Sequence, residues 1–468
     1  MSTLFKNISY VLFVLSFAYF FVLMLYNLAL LIIGVRESST RAKEDKYEDY
    51  TALTGSPFTI PLSIILPAHN EKLWIMDSLK SILNQNYPEF EVIIVNDGSI
   101  DDTLSILNDF LKLKSIDRSY TDRFPSGKIH EVFKSENYPN ITVLSKSGGF
   151  KKAGAVNAGL SFVRYKYVCV IDADTVLEPD AFLKVMAHVQ KDPERIIGIG
   201  SYFGLVNGFV INDGKIVKRS FSYNPLVAYQ NLEYIRTFIG NRIAWSKYNS
   251  MPCVSGGFGI WRKDILLELG GYSTSFSSED IELTFRAHDY IIKNKKKGYR
   301  IMMLPYYVGW TEGPSNIQSL ILQRTRWQRV INETIFTYRH MMLNFRYKTF
   351  AFLTLPYFLL YEVLGIFLET LGIGIVTVIW LTGALDFKIF LAFMVLSFFS
   401  QTLISLLSLF VFIRYQRALK LPYIAYLVLL SLLEFFLYRW ILWIARLLGT
   451  YQFFKGVRDY EQYNREAR

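Results

Sequence analysis

Cysteine is nearly absent: the 468 residues include two, Cys169 and Cys253. One lies in an apolar run and the other beside Pro252, and no metal-ligand spacing surrounds them. That excludes a disulfide framework and a cysteine-based metal site, and it suits a reduced cytosolic domain. Solenoid repeats and low-complexity tracts are lacking. So is a basic stripe on any nucleic-acid-binding module, although the net charge is +11. No nucleic acid is therefore expected as a partner. The excess Lys and Arg is read instead as gathering at cytoplasmic membrane edges. What is present is apolar: 51% hydrophobic and 16% aromatic residues beside 19% charged ones. That mixture fits an integral membrane protein with a sizeable water-facing domain.

Residues 8–35 are long and apolar enough for a hydrocarbon core of roughly 30 Å, and are expected to be a transmembrane helix. A secretory leader would have a shorter apolar core and a small-residue cleavage site. Lys6 precedes the segment, whereas Arg36, Arg41, Lys43 and Lys46 follow it. The positive-inside rule places the next domain in the cytoplasm. Residues 37–56 read as a polar linker. Far along the chain, residues 349–382 read as an interfacial or transmembrane helix, bent where Pro356, Glu362 and Glu369 interrupt it. Residues 389–413 form a further span, with Arg414, Arg417 and Lys420 at its cytoplasmic end. Residues 421–454, punctuated by Arg439 and Arg446, read as a span plus a re-entrant helix. The basic tail (Lys455, Arg458, Arg465, Arg468) favours a cytoplasmic C-terminus.

Between these segments, residues 57–330 read as one α/β domain. Residues 62–67 form a buried strand, and Ala68-His69-Asn70-Glu71 turns into a helix ending near Leu83. Residues 91–95 are the next strand, ending in Asn96-Asp97-Gly98-Ser99, and Asp101-Asp102-Thr103 opens another helix. Strand, turn and helix in alternation predict a doubly wound, mostly parallel sheet. Ligands in such sheets sit at strand carboxyl ends. Residues 112–140 read as a polar surface excursion. Residues 141–144 are a strand, and Gly148 to Gly154 leads into a helix through Asn157. Residues 167–171 are an apolar strand ending in Asp172-Ala173-Asp174. Residues 210–217 have the pattern of a hairpin with an Asp-Gly turn. Residues 224–247 look like an amphipathic helix on the membrane surface.

Several residues then carry chemistry. Asp172 and Asp174, two apart after a buried strand, point to one side if the strand continues. They are either an ordinary acidic turn or oxygen ligands for a hard cation, Mg²⁺ or Mn²⁺, that bridges to phosphates. Asp97 caps its turn, binds a pyrimidine or ribose, or does both. Lys152 is either a solvated first-turn lysine or a phosphate partner. Glu279-Asp280 opens a helix, where acids are favoured anyway; the functional reading is a general base for an acceptor hydroxyl. Ser255-Gly256-Gly257 is a side-chain-poor loop on which an acceptor sugar can lie. In Gln323-Arg324-Thr325-Arg326-Trp327 the arginines can clamp a diphosphate and Trp327 can stack a sugar ring. The plainer reading there is a juxtamembrane aromatic among arginines.

Taken together, these residues resemble the processive family 2 glycosyltransferases. These include the cellulose, hyaluronan and chitin synthases, the chitooligosaccharide synthase of nodulation, and the bacterial poly-N-acetylglucosamine synthases. The resemblance covers nearly the whole chain, and the terminal motif is intact at Gln323, Arg324, Arg326 and Trp327. It implies a GT-A catalytic domain embedded between transmembrane helices of a multi-pass plasma-membrane protein. It implies that Asn70, Glu71 and Asp97 hold uridine. Asp172, Lys152, Gln323, Arg324 and Arg326 then take the diphosphate, and Asp174 with Asp172 takes the metal. Asp280, beside Glu279, becomes the base, and Trp327 stacks the acceptor end. The expected partners are a UDP-sugar (UDP-glucose or UDP-N-acetylglucosamine), a growing β-linked polysaccharide, membrane lipids, and a second copy or an export partner. The rival expectation is a single-addition enzyme acting on a polyprenyl phosphate or lipid, which would not need Gln323 to Trp327. A non-enzymatic conduit is the third.

Overall fold

The computed structural model describes residues 3–381, 387–415 and 419–457. Arg417 and the tail residues Arg458, Arg465 and Arg468 lie outside the described residues, as do the side chains of Lys6 and Arg414. The chain divides into two compact units. One comprises Lys43–Ser222 and Ser246–Gly313, and the other Met1–Ala42, Tyr223–Trp245 and Pro314–Val457.

The first unit is built on twelve strands. In chain order they are Leu62–Ala68 (β1), Phe90–Asp97 (β2), Leu113–Ser115 (β3), Ile129–Ser135 (β4), Ile141–Lys146 (β5) and Tyr167–Ile171 (β6). Val176–Leu177 (β7), Ile196–Leu205 (β8), Val210–Asn212 (β9), Lys215–Lys218 (β10), Phe258–Arg262 (β11) and Arg300–Thr311 (β12) follow. Ten of them form one sheet in the order β3-β4-β5-β2-β1-β6-β11-β8-β12-β7. β5, β2, β1 and β6 run parallel, so their carboxyl ends open on one edge. β11 runs antiparallel to both β6 and β8.

Every residue of β1 and β6 is buried, which is why both read as unbroken apolar runs. The crossover helix Ile75–Leu83 buries Ile75, Leu79 and Ile82, one helical stripe. Helix Lys151–Leu160 is small-residue rich because it lies hard against the sheet. A Cβ on Gly159 would stand 2.6 Å from Ile65 Cγ2. β9 and β10 form the expected hairpin, with Asp213 and Gly214 at φ of 52° and 69°, as its type I′ turn demands.

The 112–140 segment is not a surface excursion. It supplies β3 and β4, which extend the sheet antiparallel from β5. β4 is a half-exposed outer strand with polar residues between its few buried ones, so its sequence lacks an apolar run. Nor are residues 37–46 a linker: the first helix runs unbroken from Thr3 to Lys46, helped by an Arg41–Glu37 pair at 3.0 Å.

In the second unit, among the described residues, three helices are long and apolar enough to cross a membrane: Val14–Glu44, Phe350–Leu381 and Met394–Ile413. Leu421–Leu433 and Tyr438–Phe454 make a fourth if the pair, bent by 61°, counts as one. The 350–363 stretch holds two π-helical segments, Phe350–Thr354 and Phe358–Val363, flanking Pro356, which has no N–H to give. The acids and arginines that interrupt these segments meet one another. Arg439 reaches Glu369 at 3.2 Å, and Glu434, almost fully buried, takes Arg236 at 3.0 Å with Gln401 and Ser405 also donating. Pairing is what makes charge tolerable at such depth. Residues 224–247 are helical but not one-faced, since both faces are largely buried. Asn231 meets Tyr423, Arg236 meets Glu434, and Tyr229 stacks on Tyr438 at 4.9 Å.

Back in the sheet, Glu91 is a buried carboxylate that accepts from Ser63 Oγ at 2.6 Å, Arg164 N at 2.6 Å and Arg164 Nε at 2.8 Å. It fastens β2, β1 and the turn before β6 together. Glu91→Ala orphans these donors, with an expected loss of about 2 kcal/mol. A lowered thermal midpoint of the detergent-held protein checks it, and an unchanged midpoint refutes it.

Candidate active site

β2 ends at Asp97 and its neighbour β5 at Lys146, partners in register. The Lys146 ammonium is fully buried. It pairs with the Asp97 carboxylate and donates to Ser147 O at 2.7 Å. His69 Nδ1 donates to the Asp97 carbonyl at 2.7 Å. Asn70 takes a left-handed φ of 56°, which asparagine tolerates. Its backbone N–H donates to Ser99 Oγ at 3.0 Å, and its side-chain oxygen accepts from Ile100 N at 2.9 Å. Glu71 N donates to Thr103 Oγ1 at 2.9 Å. The loops after β1 and β2 are thus one laced edge, and Asn70, Glu71 and Asp97 share it.

Beyond β1, β6 delivers Asp172 and Asp174. The Lys152 ammonium, in the first turn of helix Lys151–Leu160, lies 2.5 Å from Asp172 Oδ1 and 3.0 Å from Glu279 Oε1. It also donates to Gly256 O at 3.0 Å. Gly256 N donates to Asp280 Oδ2 at 2.9 Å. Asp280 Oδ1 accepts from Ser278 Oγ at 2.8 Å and Ile281 N at 2.7 Å. Thr284 Oγ1 gives its proton to Asp280 O at 2.8 Å and accepts from Val254 N at 3.0 Å, tying helix Glu279–Lys293 to the loop. Strand end, lysine, glycine loop and acidic helix start therefore converge. Asp172, Lys152, Gly256, Glu279 and Asp280 come together as one cluster.

The cluster's electrostatics follow from burial and like charge. Burial raises the Asp172 carboxyl; Lys152 pulls it down, while Asp174 and Glu279 push it further up, to about 6. Burial alone would lower Lys152, but Asp172 and Glu279 outweigh it and hold the ammonium protonated. Burial opposes ionisation of Asp280 too, yet Lys152, the Ser278 hydroxyl and two backbone N–H groups overcome it and lower its pKa. Among the described residues no group of three or more His, Cys, Asp or Glu is arranged to hold a metal. The acids nonetheless fit one that completes its shell elsewhere. Mg²⁺-like ions are held by one or two carboxylates plus phosphates and water, and the Asp172–Asp174 repulsion is what such an ion relieves.

Gln323, Arg324, Arg326 and Trp327 belong to the other unit, on helix Ile317–Thr337. There Arg324 is buried, bonded through Nη2 to Glu233 at 2.9 Å, and its guanidinium lies 4.0 Å from the Trp327 ring centroid. Tyr438 Oη donates to the same Glu233 oxygen at 2.8 Å. Arg324 Nε and Nη1 and Gln323 Oε1 are buried without a hydrogen-bond partner among the described residues. The helix is clamped against Tyr438–Phe454, where a Cβ on Gly449 would stand 2.4 Å from Thr325 O.

Lys146, Thr284 and Glu233 escaped the sequence reading. Lys146 left a signal, a lysine closing an apolar strand next to the one that Asp97 closes. Glu233 left none, since its partners lie about 90 and 200 residues away. The Asp172 geometry generates a direct expectation. As pH falls through about 6, a protonated-carboxyl infrared band should grow in, because a raised pKa puts the proton on before other carboxylates titrate. Asp172→Asn should remove it; its persistence in that variant would assign it elsewhere.

Residues 63–270 match glycosyl transferase family 2, and residues 167–451 match glycosyl transferase family group 2. The chain is 28% identical over 274 residues to a poly-beta-1,6-N-acetyl-D-glucosamine synthase of Staphylococcus epidermidis, covering 58% of this chain and 55% of that protein. It is 28% identical over 324 residues to the probable glycosyltransferase YdaM of Bacillus subtilis, covering 68% of this chain and 65% of that protein. The match thus spans little more than half the length of the first of these relatives. A mannosyltransferase from Pyrobaculum calidifontis, solved with GDP-Man and Mn²⁺, aligns with a TM-score of 0.51 at 15% identity over 92% of this chain and 99% of that one. That likeness shows the GT-A fold. With more than half of its length matched by the family group, the chain belongs to the family 2 glycosyltransferases.

Proposed function

We propose that this chain is a processive, inverting glycosyltransferase that builds a β-linked polysaccharide from a UDP-sugar and passes it across the plasma membrane. The observation that carries the reading is the convergence of Asp172, Lys152, Glu279 and Asp280 on the Gly256 loop at the end of β6. The relatives named poly-N-acetylglucosamine synthases support a polymer product and favour UDP-N-acetylglucosamine over UDP-glucose. The intact Gln323-to-Trp327 motif supports processivity. The membrane-crossing helices and the positive charge after the first of them support a catalytic domain facing the cytoplasm. A second copy or an export partner completes the translocation path.

On this reading the laced edge of Asn70, Glu71 and Asp97 receives uridine. Lys152, Gln323, Arg324 and Arg326 receive the diphosphate. Asp172 and Asp174 hold Mg²⁺ or Mn²⁺, which when bound offsets the negative charge gathering on the departing diphosphate. Ser255, Gly256, Gly257 and Trp327 receive the acceptor end. The acceptor hydroxyl oxygen bonds to the anomeric carbon from the face opposite the diphosphate. The bond from that carbon to the diphosphate oxygen breaks and UDP leaves. The hydroxyl proton passes to Asp280, whose three hydrogen bonds keep it ionised and fixed in direction. Glu279 touches Lys152 and acts through it.

The test is UDP release by the full chain in nanodiscs against a panel of UDP-sugars with Mg²⁺ or Mn²⁺, with product size measured alongside. One active donor and a high-mass product are expected. A lipid-linked monosaccharide would replace this reading with single addition, and silence across the panel would refute it. Asp280→Asn should cut turnover by roughly 10³-fold, the scale of a lost general base, with UDP binding retained; normal turnover would remove Asp280 from the role. Gly256→Ala puts a methyl 2.8 Å from Lys152 Nζ and 3.3 Å from Asp280 Oδ2. It should slow turnover about tenfold or more by displacing both groups, and wild-type kinetics would show that the loop has room.

A further inference from the structure

Lys152 has been assigned the donor phosphate as its partner, yet its ammonium is spent on the protein. A lysine has three N–H donors. Here they find Asp172 Oδ1 at 2.5 Å, Glu279 Oε1 at 3.0 Å and Gly256 O at 3.0 Å. Asp172 is also one of the two acids that suit a divalent cation. A positive charge fixed on Asp172 and a doubly positive ion approaching Asp172 and Asp174 repel each other, and at this half-buried site the solvent screens them less than in bulk water.

We propose that Lys152 competes with the divalent cation for Asp172. The cation then binds tightly only together with a diphosphate that draws the ammonium away. This rests on the reading of the site as a nucleotide-sugar site. The chemistry favours a lysine for the task. Its charge sits on a flexible four-carbon stem rather than in a planar fork, so it can turn from a carboxylate to a phosphate oxygen without losing hydrogen bonds. Glu279 gives the ammonium a second anchor through that turn, and the bare Gly256 leaves it space. The consequence is reciprocal: whatever the diphosphate adds to cation affinity, the cation adds to diphosphate affinity. A cytosolic cation alone therefore does not occupy the site strongly, and donor and metal enter as one. It also means that the carboxylate cluster is never left wholly without a positive charge.

The proposal separates from a plain phosphate-binding role in one respect. A lysine that only binds phosphate leaves the affinity for cation alone untouched when it is removed. The experiment is Mn²⁺ binding to the full chain in nanodiscs, followed by electron paramagnetic resonance, with and without UDP and with protein in excess over nucleotide. Wild type should bind Mn²⁺ weakly alone and more tightly with UDP. Lys152→Met should bind Mn²⁺ alone about tenfold more tightly than wild type, within the usual span of coupling between two ligands, and should gain less from UDP. Lys152→Arg, which keeps the charge, should not show the gain. Where Lys152→Met fails to fold, Lys152→Gln takes its place. Unchanged Mn²⁺ affinity in the neutral variant, with normal UDP enhancement in wild type, overturns this inference alone. No Mn²⁺ binding by wild type even with UDP overturns the nucleotide-sugar reading and this inference with it.

Discussion

The ion pair between Lys152 and the Asp172 and Glu279 carboxylates is the constraint on which the catalytic unit turns. Acids crowded together and partly withdrawn from water need a counter-charge to offset their mutual repulsion. Here a single ammonium serves a strand end, a helix start and a loop carbonyl at once. These three pieces of chain must therefore lie within one side chain's reach of each other. That requirement explains the residue types around it. Helix Lys151–Leu160 is made of small residues so that it can press against β1. Position 256 carries no side chain because a Cβ would enter the ion cluster. Asp280 is aimed by the same loop through the Gly256 N–H. One strand over, Lys146 does for Asp97 what Lys152 does for Asp172, but from full burial and with a single carboxylate.

Much of this was legible because strand ends announce themselves. An apolar run that stops at an acid, followed by a turn and a helix, identifies Asp97 and Asp172 without coordinates. Glu279 and Asp280 stand out as a helix start. Other features were hidden for physical reasons. β4 has the mixed exposure of an outer strand, so its apolar residues do not form a run. Gln230, Asn231, Glu233 and Arg236 gave their helix an apparent polar face. That face is largely buried, because its partners lie far away in sequence: the Pro314 carbonyl for Gln230, and the Tyr423, Arg324 and Glu434 side chains for Asn231, Glu233 and Arg236. Periodicity sees polarity, and it cannot see that a polar residue has been matched elsewhere. The double attachment of Lys152 was hidden in the same way, since a first-turn lysine with a phosphate to bind and one with two carboxylates to hold look alike in sequence.

The two units handle buried charge differently, and the difference bears on function. In the membrane-helix unit, Glu434 has Arg236, Glu369 has Arg439, and Glu233 has Arg324 with Tyr438. Arg236 holds Glu434 in a fork, and Arg446 stands 3.8 Å from Glu362 and 4.0 Å from Glu369, so arginine lies within reach of every one of these acids. At the end of β6 the arrangement is shared: Lys152 spans two carboxylates, and Asp174 adds its field to Asp172. A lysine divided between two acids holds neither as firmly as a forked arginine would, and the acids beside it still repel one another. A buried charge without a counter-charge costs stability, and these acids have arginines beside them. In the cluster at the end of β6 one lysine faces several acids, so negative charge remains in excess there. That leftover charge is directed at the carboxyl edge of a parallel sheet, where backbone and loops leave room for a ligand. Burial first, and then the Asp174 and Glu279 charges, raise the Asp172 pKa; on the proposed reading that same local negative charge is what a cation carrying a diphosphate would meet.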